Sequence, residues 1–419
     1  MQGLKTTTNK FIIAIVLAIM AIALVQLLTS SAPEKKDGIK VNKEEIARLE
    51  KEAANYKSKQ EQLKLAIKAY FETAIARKEL VGVGVSIVKG DSVVLSEGFG
   101  RKNINLKEQV NGETVFRLGS LSKGFGGILA AHLEAKGKLA WEDKVVDYLP
   151  QFRFGDSLNT QKITLAHILS HSSGAPYHSF TNLVEAGLPL KTIAGRFKEV
   201  APISAPGELY SYQNAMFAIS QEIMSASAGQ EITKTFQSEI INPLEMCSTS
   251  LDHKSLLDAG NVAIPHTRSR RGWKSQKLTN SYYNALFAGG INASSTDMAK
   301  WMRFLLGHNP EVMSKAAITK VFKPFVEIKG GYKYYYRWPG HISSHYGFGW
   351  RIHKFKASGN TEKTIWHHGG SVNNYRNEIA LFPEADLGIC VLFNGNSRLA
   401  QTVIPDIYSI VRKTFNISP

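Results

Sequence analysis

Phe116-Arg-Leu-Gly-Ser120-Leu-Ser-Lys123 runs directly into the apolar, small-residue stretch Gly124-Phe-Gly-Gly-Ile-Leu-Ala-Ala-His-Leu-Glu134. A helix that starts at Ser120 puts Ser120 and Lys123 at i and i+3, on one face and about 5–6 Å apart. A serine hydroxyl is a weak nucleophile until a base takes its proton. A lysine removed from water loses its preference for the charged form and can be that base. The start of a helix also presents free N–H groups and a partial positive charge to an incoming oxyanion. The spacing therefore carries a mechanism, with a helix-capping serine as the plain alternative. The same pattern recurs at Ser86-Ile-Val-Lys89. That copy falls on a predicted strand, where i and i+3 point to opposite faces, so it is read as accidental.

Upstream of this segment, Val81-Gly-Val-Gly-Val-Ser-Ile-Val88, Lys89-Gly-Asp91 and Ser92-Val-Val-Leu95 read as a strand, a tight turn and a returning strand. From about 117 to 300 the apolar spacing is mostly helical, with Gly, Pro and Ser breaks. Strands return at Trp350–His353, Thr364–Trp366, Glu378–Phe382 and Leu387–Phe393, and a last helix covers about Gln401–Thr414. Strands at both ends of a helical middle predict an α/β fold, one discontinuous lobe with an all-helical lobe inserted at about 140–285.

At the N-terminus Lys5 and Lys10 precede Phe11–Leu28, an uncharged run whose one polar residue is Gln26. At helical rise such a run spans roughly 27 Å, close to the hydrocarbon thickness of a bilayer. Ser30-Ser-Ala32 resembles a small-residue cleavage site, with Pro33 after it. Residues 1–30 are thus read as a membrane anchor or a signal peptide, with membrane contact through 11–28. Either reading places the remaining chain outside the cytosol. Residues 31–62 form a Lys/Glu-rich connector. Ile46, Leu49, Ala53, Tyr56, Leu63, Ile67 and Tyr70 fall on a heptad-like spacing broken at Gln60. This predicts a helical stalk running into a domain over 63–419. The pattern is more commonly that of an amphipathic helix packed on its own domain, with a dimer through the stalk as the alternative.

Among the 419 residues the formal net charge is +16, which favours anionic surroundings. No zinc-finger spacing, RNP-like aromatic motif or basic zipper is present, so no nucleic-acid partner is expected. Cys247 and Cys390 are read as two free thiols, the latter inside the apolar run Leu387–Phe393. His341, His345, His367 and His368 cluster loosely but lack metal-ligand spacing, so neither metal nor cofactor is expected. Thr267–Lys277 is strongly basic, and Lys329–Trp350 is crowded with Tyr, Trp, Gly and His.

Further motifs follow in a fixed order: Leu169-Ser-His171-Ser-Ser-Gly174, Pro206-Gly-Glu-Leu-Tyr-Ser-Tyr212-Gln-Asn214, Pro243-Leu-Glu-Met246, Gly289-Gly-Ile291 and His368-Gly369-Gly370. With Ser120-x-x-Lys123, this ordered set resembles the serine β-lactamase and penicillin-binding-protein superfamily in its class C-like branch, over about residues 63–419. Tyr282-Tyr-Asn284 and Tyr375-Arg-Asn377 also match Tyr-x-Asn and are read as chance. The resemblance implies a β-lactamase-like fold, with an antiparallel sheet built from the N- and C-terminal parts and flanked by helices. It also implies roles. Ser120 forms an acyl-enzyme, Lys123 takes its proton, and Tyr212 protonates the leaving group. Asn214 contacts substrate or Lys123, and the backbone N–H groups of Ser120 and Ser371 hold the oxyanion. His368, Gly369 and Gly370 form a substrate-binding wall, and His171 belongs to packing. The resemblance thus implies a serine hydrolase whose substrate is a β-lactam, a D-amino-acid peptide or an ester, with a carboxylesterase of the same fold or a catalytically silent binding protein as the alternatives. The protein would sit anchored in the inner membrane facing the periplasm, or be secreted to the periplasm. The family's lactamases and transpeptidases carry Lys-Thr-Gly where this chain has His368-Gly-Gly; His367 is the other start that the motif allows. A largely neutral histidine predicts poor recognition of a substrate carboxylate.

Overall fold

A computed structural model describes residues 43–357 and 361–417. The candidate anchor at 1–30, with its 11–28 run, and connector residues 31–42 lie outside the described residues. Among the described residues no helix is long and apolar enough to cross a membrane. The chain divides into two units, Met1–Lys64 and Leu65–Pro419. Helix α1 (Lys43–Ala76) crosses that division. Its early turns are held by the i±3 and i±4 pairs of Arg48 with Glu45 and Glu52, and Leu49 there is exposed.

In the second unit, eight strands build one sheet: β1 (Gly82–Lys89), β2 (Ser92–Gly100) and, after the short β3 (Val115–Arg117), β4 (His266–Ser269), β5 (Gly272–Ser275) and β6 (Asn292–Ser294) of two small ladders, β7 (Val326–Glu327), β8 (His341–Tyr346), β9 (Arg351–Lys356), β10 (Glu362–Val372), β11 (Tyr375–Phe382) and β12 (Leu387–Phe393). The order is β2-β1-β12-β11-β10-β9-β8-β7, and every pairing is antiparallel. N- and C-terminal parts therefore share the sheet, as the sequence predicts. Every residue of β12 is buried, so both of its faces are covered, and its unbroken apolar run follows from that. Helices α4 (Ser295–Leu305) and α5 (Val403–Phe415) pack on this end of the sheet. Ser86 and Lys89 do lie on β1, where Ser86 is fully buried and paired in register with Cys390 and Ser96.

Helix α2 (Ser122–Ala135) is buried along nearly its whole length, and α3 (Asn214–Ala228) lies beside it. The small residues of α2 serve close approach. A Cβ at Gly127 would stand 2.0 Å from the Phe348 carbonyl oxygen, so only glycine lets the helix rest on that loop. Between Val145 and Asp258 the regular elements are all helical, α3 and a series of short helices. The expected helical lobe at 140–285 is corrected at its end: the basic stretch folds as the hairpin β4–β5. The two cysteines are free, Cys390 buried and Cys247 exposed.

Candidate active site

Ser120 and Lys123 do not share one regular helix: Gly119–Leu121 is a 3₁₀ turn and α2 starts at Ser122. The side chains still meet, with Lys123 Nζ 3.4 Å from Ser120 Oγ. Lys123 is fully buried, and its other contacts are 2.7 Å to Asn214 Oδ1 and 2.7 Å to the Ala288 carbonyl. Burial, with the Arg351 charge nearby, holds its pKa well below the ordinary 10.5. A neutral amine has two N–H bonds and one lone pair. The two short acceptors take the hydrogens, which leaves the lone pair to receive the Ser120 proton.

Tyr212 closes another side. Lys123 Nζ lies 4.8 Å from its ring centre, and its hydroxyl shares a hydrogen bond with Ser120. Burial pushes the phenol up to about 12, against the pull of Arg351 and of the Ser120 hydrogen bond. At neutral pH it therefore carries its proton, the form that donates. His171 steers this ring. Its backbone is left-handed, its Nδ1 accepts from Gln213 N at 3.1 Å, and its ring centre is 4.2 Å from that of Tyr212. Asn214, the first residue of α3, also donates from Nδ2 to Tyr282 at 3.2 Å. The Tyr-x-Asn match read as chance at Tyr282 thus contributes a side chain to the site.

The strand β10 meets the Ser120 turn backbone to backbone. Gly119 has φ +57°, and a Cβ there would stand 2.8 Å from the backbone N of Ser371. A Cβ at Gly370 would stand 2.2 Å from the Leu118 carbonyl. Asn377 on β11 donates to the carbonyls of Arg117 and Leu118 at 2.8 and 3.0 Å, tying the turn to the sheet. The Ser371 backbone is thereby set beside the Ser120 turn.

The two histidines of β10 part company. His368 is buried, shares a 2.8 Å hydrogen bond with Tyr346, and lies with its ring tilted 42° to that of Tyr212, centres 6.3 Å apart. Burial, with the Arg351 charge nearby, holds its pKa well below 6.5, so it is neutral. It backs Tyr212 and does not line the cavity in front of Ser120, whereas Gly369 and Ser371 do. His367 points to Glu378, 2.8 Å away.

That cavity, about 420 Å³, is lined by Ser120, Tyr212 and Asn214 and also by Lys329, Lys333, Arg351 and Arg376. Glu185 is the one carboxylate among its described lining residues. Arg351 sits over the rings of Tyr212, Tyr335 and Tyr346 at 5.6–5.9 Å, and its Nε is buried without a hydrogen-bond partner among the described residues. The expectation of poor carboxylate recognition, drawn from His368 alone, missed this arginine. Its place in the sequence, directly after the aromatic and glycine-rich Tyr346-Gly-Phe-Gly-Trp350, was the available signal. A larger hollow of about 1020 Å³, lined by Glu113, Ser248, Asp252 and Asp258 among others, holds none of the site residues. Among the described residues no group of three or more His, Cys, Asp or Glu could hold a metal ion.

Comparison with known proteins gives matches over most of the chain. The family model described as Beta-lactamase matches residues 67–408. The unguisins hydrolase ungD' of Aspergillus campestris is 25% identical over 367 residues, 82% of this chain and 64% of that relative. Protein flp of Staphylococcus aureus is 24% identical over 349 residues, 81% of this chain and 64% of its own length. The chain thus spans 64% of the length of these curated relatives. The octameric penicillin-binding protein homologue of Pyrococcus abyssi superposes with a TM-score of 0.69 at 22% identity, covering 82% of this chain and 77% of that one.

Proposed function

The chain belongs to the beta-lactamase family, as the match over residues 67–408 shows, and from that premise we propose that it is a serine hydrolase that forms an acyl-enzyme on amide or ester carbonyls of substrates bearing an anionic group. The observation that carries the reading is that Ser120 and Tyr212 line one cavity while the fully buried Lys123 reaches Ser120 Oγ from behind it, at 3.4 Å. Ser120 Oγ attacks the carbonyl carbon while its proton passes to the Lys123 lone pair. The carbonyl oxygen gains charge between the backbone N–H groups of Ser120 and Ser371. Tyr212 gives its proton to the departing amine or alkoxide and draws a replacement from Lys123. Water then reverses the same proton path to release the acid.

The cationic wall supports the choice of substrate. Arg351, Arg376, Lys333 and Lys329 outnumber Glu185, and arginine holds a carboxylate through paired N–H groups. β-Lactams and D-amino-acid peptides with a free carboxylate fit that wall, as do acidic esters. The run Phe11–Leu28 supports a place outside the cytosol, anchored in or exported across the inner membrane.

The test is acylation followed by turnover. A labelled penicillin or fluorophosphonate should add one adduct by intact mass, lost in Ser120→Ala and kept in Ser86→Ala. Arg351→Met should lower kcat/KM for an anionic ester about tenfold or more relative to a neutral one. Adduct formation that survives Ser120→Ala would overturn the assignment.

A further inference from the structure

Behind β10, five side chains form an unbroken hydrogen-bonded line. His341 Nε2 lies 2.8 Å from Ser344 Oγ, Ser344 Oγ 2.7 Å from His353 Nδ1, His353 Nε2 3.2 Å from His367 Nδ1, and His367 Nε2 2.8 Å from Glu378 Oε2. His341 is partly exposed; Ser344, His353, His367 and Glu378 are buried. At its inner end Glu378 accepts from Tyr334 at 2.8 Å and from the Arg376 guanidinium at 2.6 Å. Arg376 also lines the cavity in front of Ser120. A Cβ at Gly369 would stand 3.1 Å from both Glu378 oxygens, so the carboxyl lies directly against the cavity strand.

We propose that Glu378 is a positioning residue for substrate selection: its proton, delivered through the His341–Ser344–His353–His367 line, decides whether Arg376 is held in the wall or released to a substrate anion. The inference rests on the hydrolase reading above.

The donors and acceptors run in one sense. With Glu378 ionised, His341 Nε2–H donates to Ser344, Ser344 O–H to His353 Nδ1, His353 Nε2–H to His367 Nδ1, and His367 Nε2–H to Glu378. A proton gained at His341 Nδ1 shifts each hydrogen one bond along. Nothing is left charged between the ends, and one O–H forms on Glu378. Each imidazole ends as its other tautomer, so the balance closes on one proton in and one carboxylate neutralised. Without its charge Glu378 no longer pairs with Arg376, whose guanidinium is then free to meet an anion in the cavity.

Several charged and titratable groups face Glu378. They are Arg376 on its own strand, His367 on β10, Tyr334 from the turn after β7, Arg351 on β9, and the Cys390 thiol on β12. Burial outweighs the arginines and lifts the carboxyl to about 7, which places the change within the physiological range. Burial likewise holds His367 and His353 far below 6.5, so the line conducts as neutral rings.

The experiment compares KM for an anionic and a neutral ester of the same alcohol between about pH 6 and about pH 8, in wild type, Glu378→Gln and Arg376→Gln. In the wild type the anionic ester should bind roughly tenfold better at the acid end, with kcat little changed and the neutral ester level. Glu378→Gln should keep the tight, acid-side KM at every pH, and Arg376→Gln should keep the weak one. Infrared difference spectra across the same range should show a carboxyl C=O band that Glu378→Gln removes. That second readout needs no turnover, so it stands or falls apart from the hydrolase reading. A wild-type KM ratio that does not move with pH, or an infrared band that survives Glu378→Gln, overturns the proposal.

Discussion

Asn214 is the uncharged hydrogen-bond partner of the proposed base Lys123. Its Oδ1, 2.7 Å from Nζ, takes an N–H without adding a charge. Asn214→Asp keeps the shape and supplies a negative partner, which favours the ammonium by about 1–3 pKa units. The sign follows: the lysine pKa rises, so a higher pH is needed to free the lone pair. The acid limb of the kcat/KM profile should move up by about that amount, with activity at neutral pH down about ten- to a hundredfold. An unmoved limb would mean that Lys123 does not set it. At this scale the sequence revealed Ser120 and Lys123 because the pair is local, three residues apart. Arg351 and Glu378 stayed hidden because their meaning comes from partners distant in the sequence: Tyr212 for one, His367 and Tyr334 for the other. His368 was legible as a motif, but whether its ring faced the substrate or backed Tyr212 depended on the Tyr346 hydroxyl.

The seam between the 3₁₀ turn and β10 is the element on which the site depends. Gly119 combines φ +57° with a backbone neighbour at 2.8 Å, so a methyl group there meets both strain and collision. The left-handed conformation alone costs an alanine about 1–2 kcal/mol. Gly119→Ala should therefore lower Tm by several degrees and cut acylation more than a hundredfold, because relief of the clash moves Ser371 away from Ser120. Thermal unfolding and the acylation rate measured on the same sample check both halves. Elements with an apolar signature were readable in advance, β1, β10, β11 and β12 among them. β8 was not, because its sequence His341-Ile-Ser-Ser-His-Tyr346 alternates only weakly and its exposed position is isoleucine. The hairpin β4–β5 was not, because its pairing rests on backbone bonds and on Trp273 reaching the Lys78 carbonyl at 2.9 Å rather than on an apolar face.

For the whole molecule, the lower limit of the folded unit can be set by packing. Ile67 and Phe71 are fully buried, Phe71 stacks on Phe99 with centres 5.6 Å apart, and Tyr70 bonds Asp406 at 2.7 Å. Each such buried side chain contributes about 1.5–3 kcal/mol, against a total stability of about 5–15. A protein beginning at residue 43 should be soluble and fully acylated, the intact chain should fractionate with membranes, and one beginning at residue 72 should be largely unfolded at 37 °C. Denaturation midpoints of the three forms decide this. The alternation of strands and helices and the order of the motifs made the architecture readable; the sheet order was not, since β1 finds its second neighbour only in β12. That pairing has a consequence in time. A ribosome finishes the β1–β2 hairpin long before it makes the strand that pairs with Val83, Val85 and Ile87, and at about 5–20 residues per second the wait is on the order of ten seconds or more. Until then one edge of β1 keeps its backbone N–H and C=O groups unpaired, open to any holdase nearby, and Ser120 lacks its neighbour β10 until Val372 has been added. The proposed nucleophile is thus inert when first made, and its surroundings are complete only after β10 has been added.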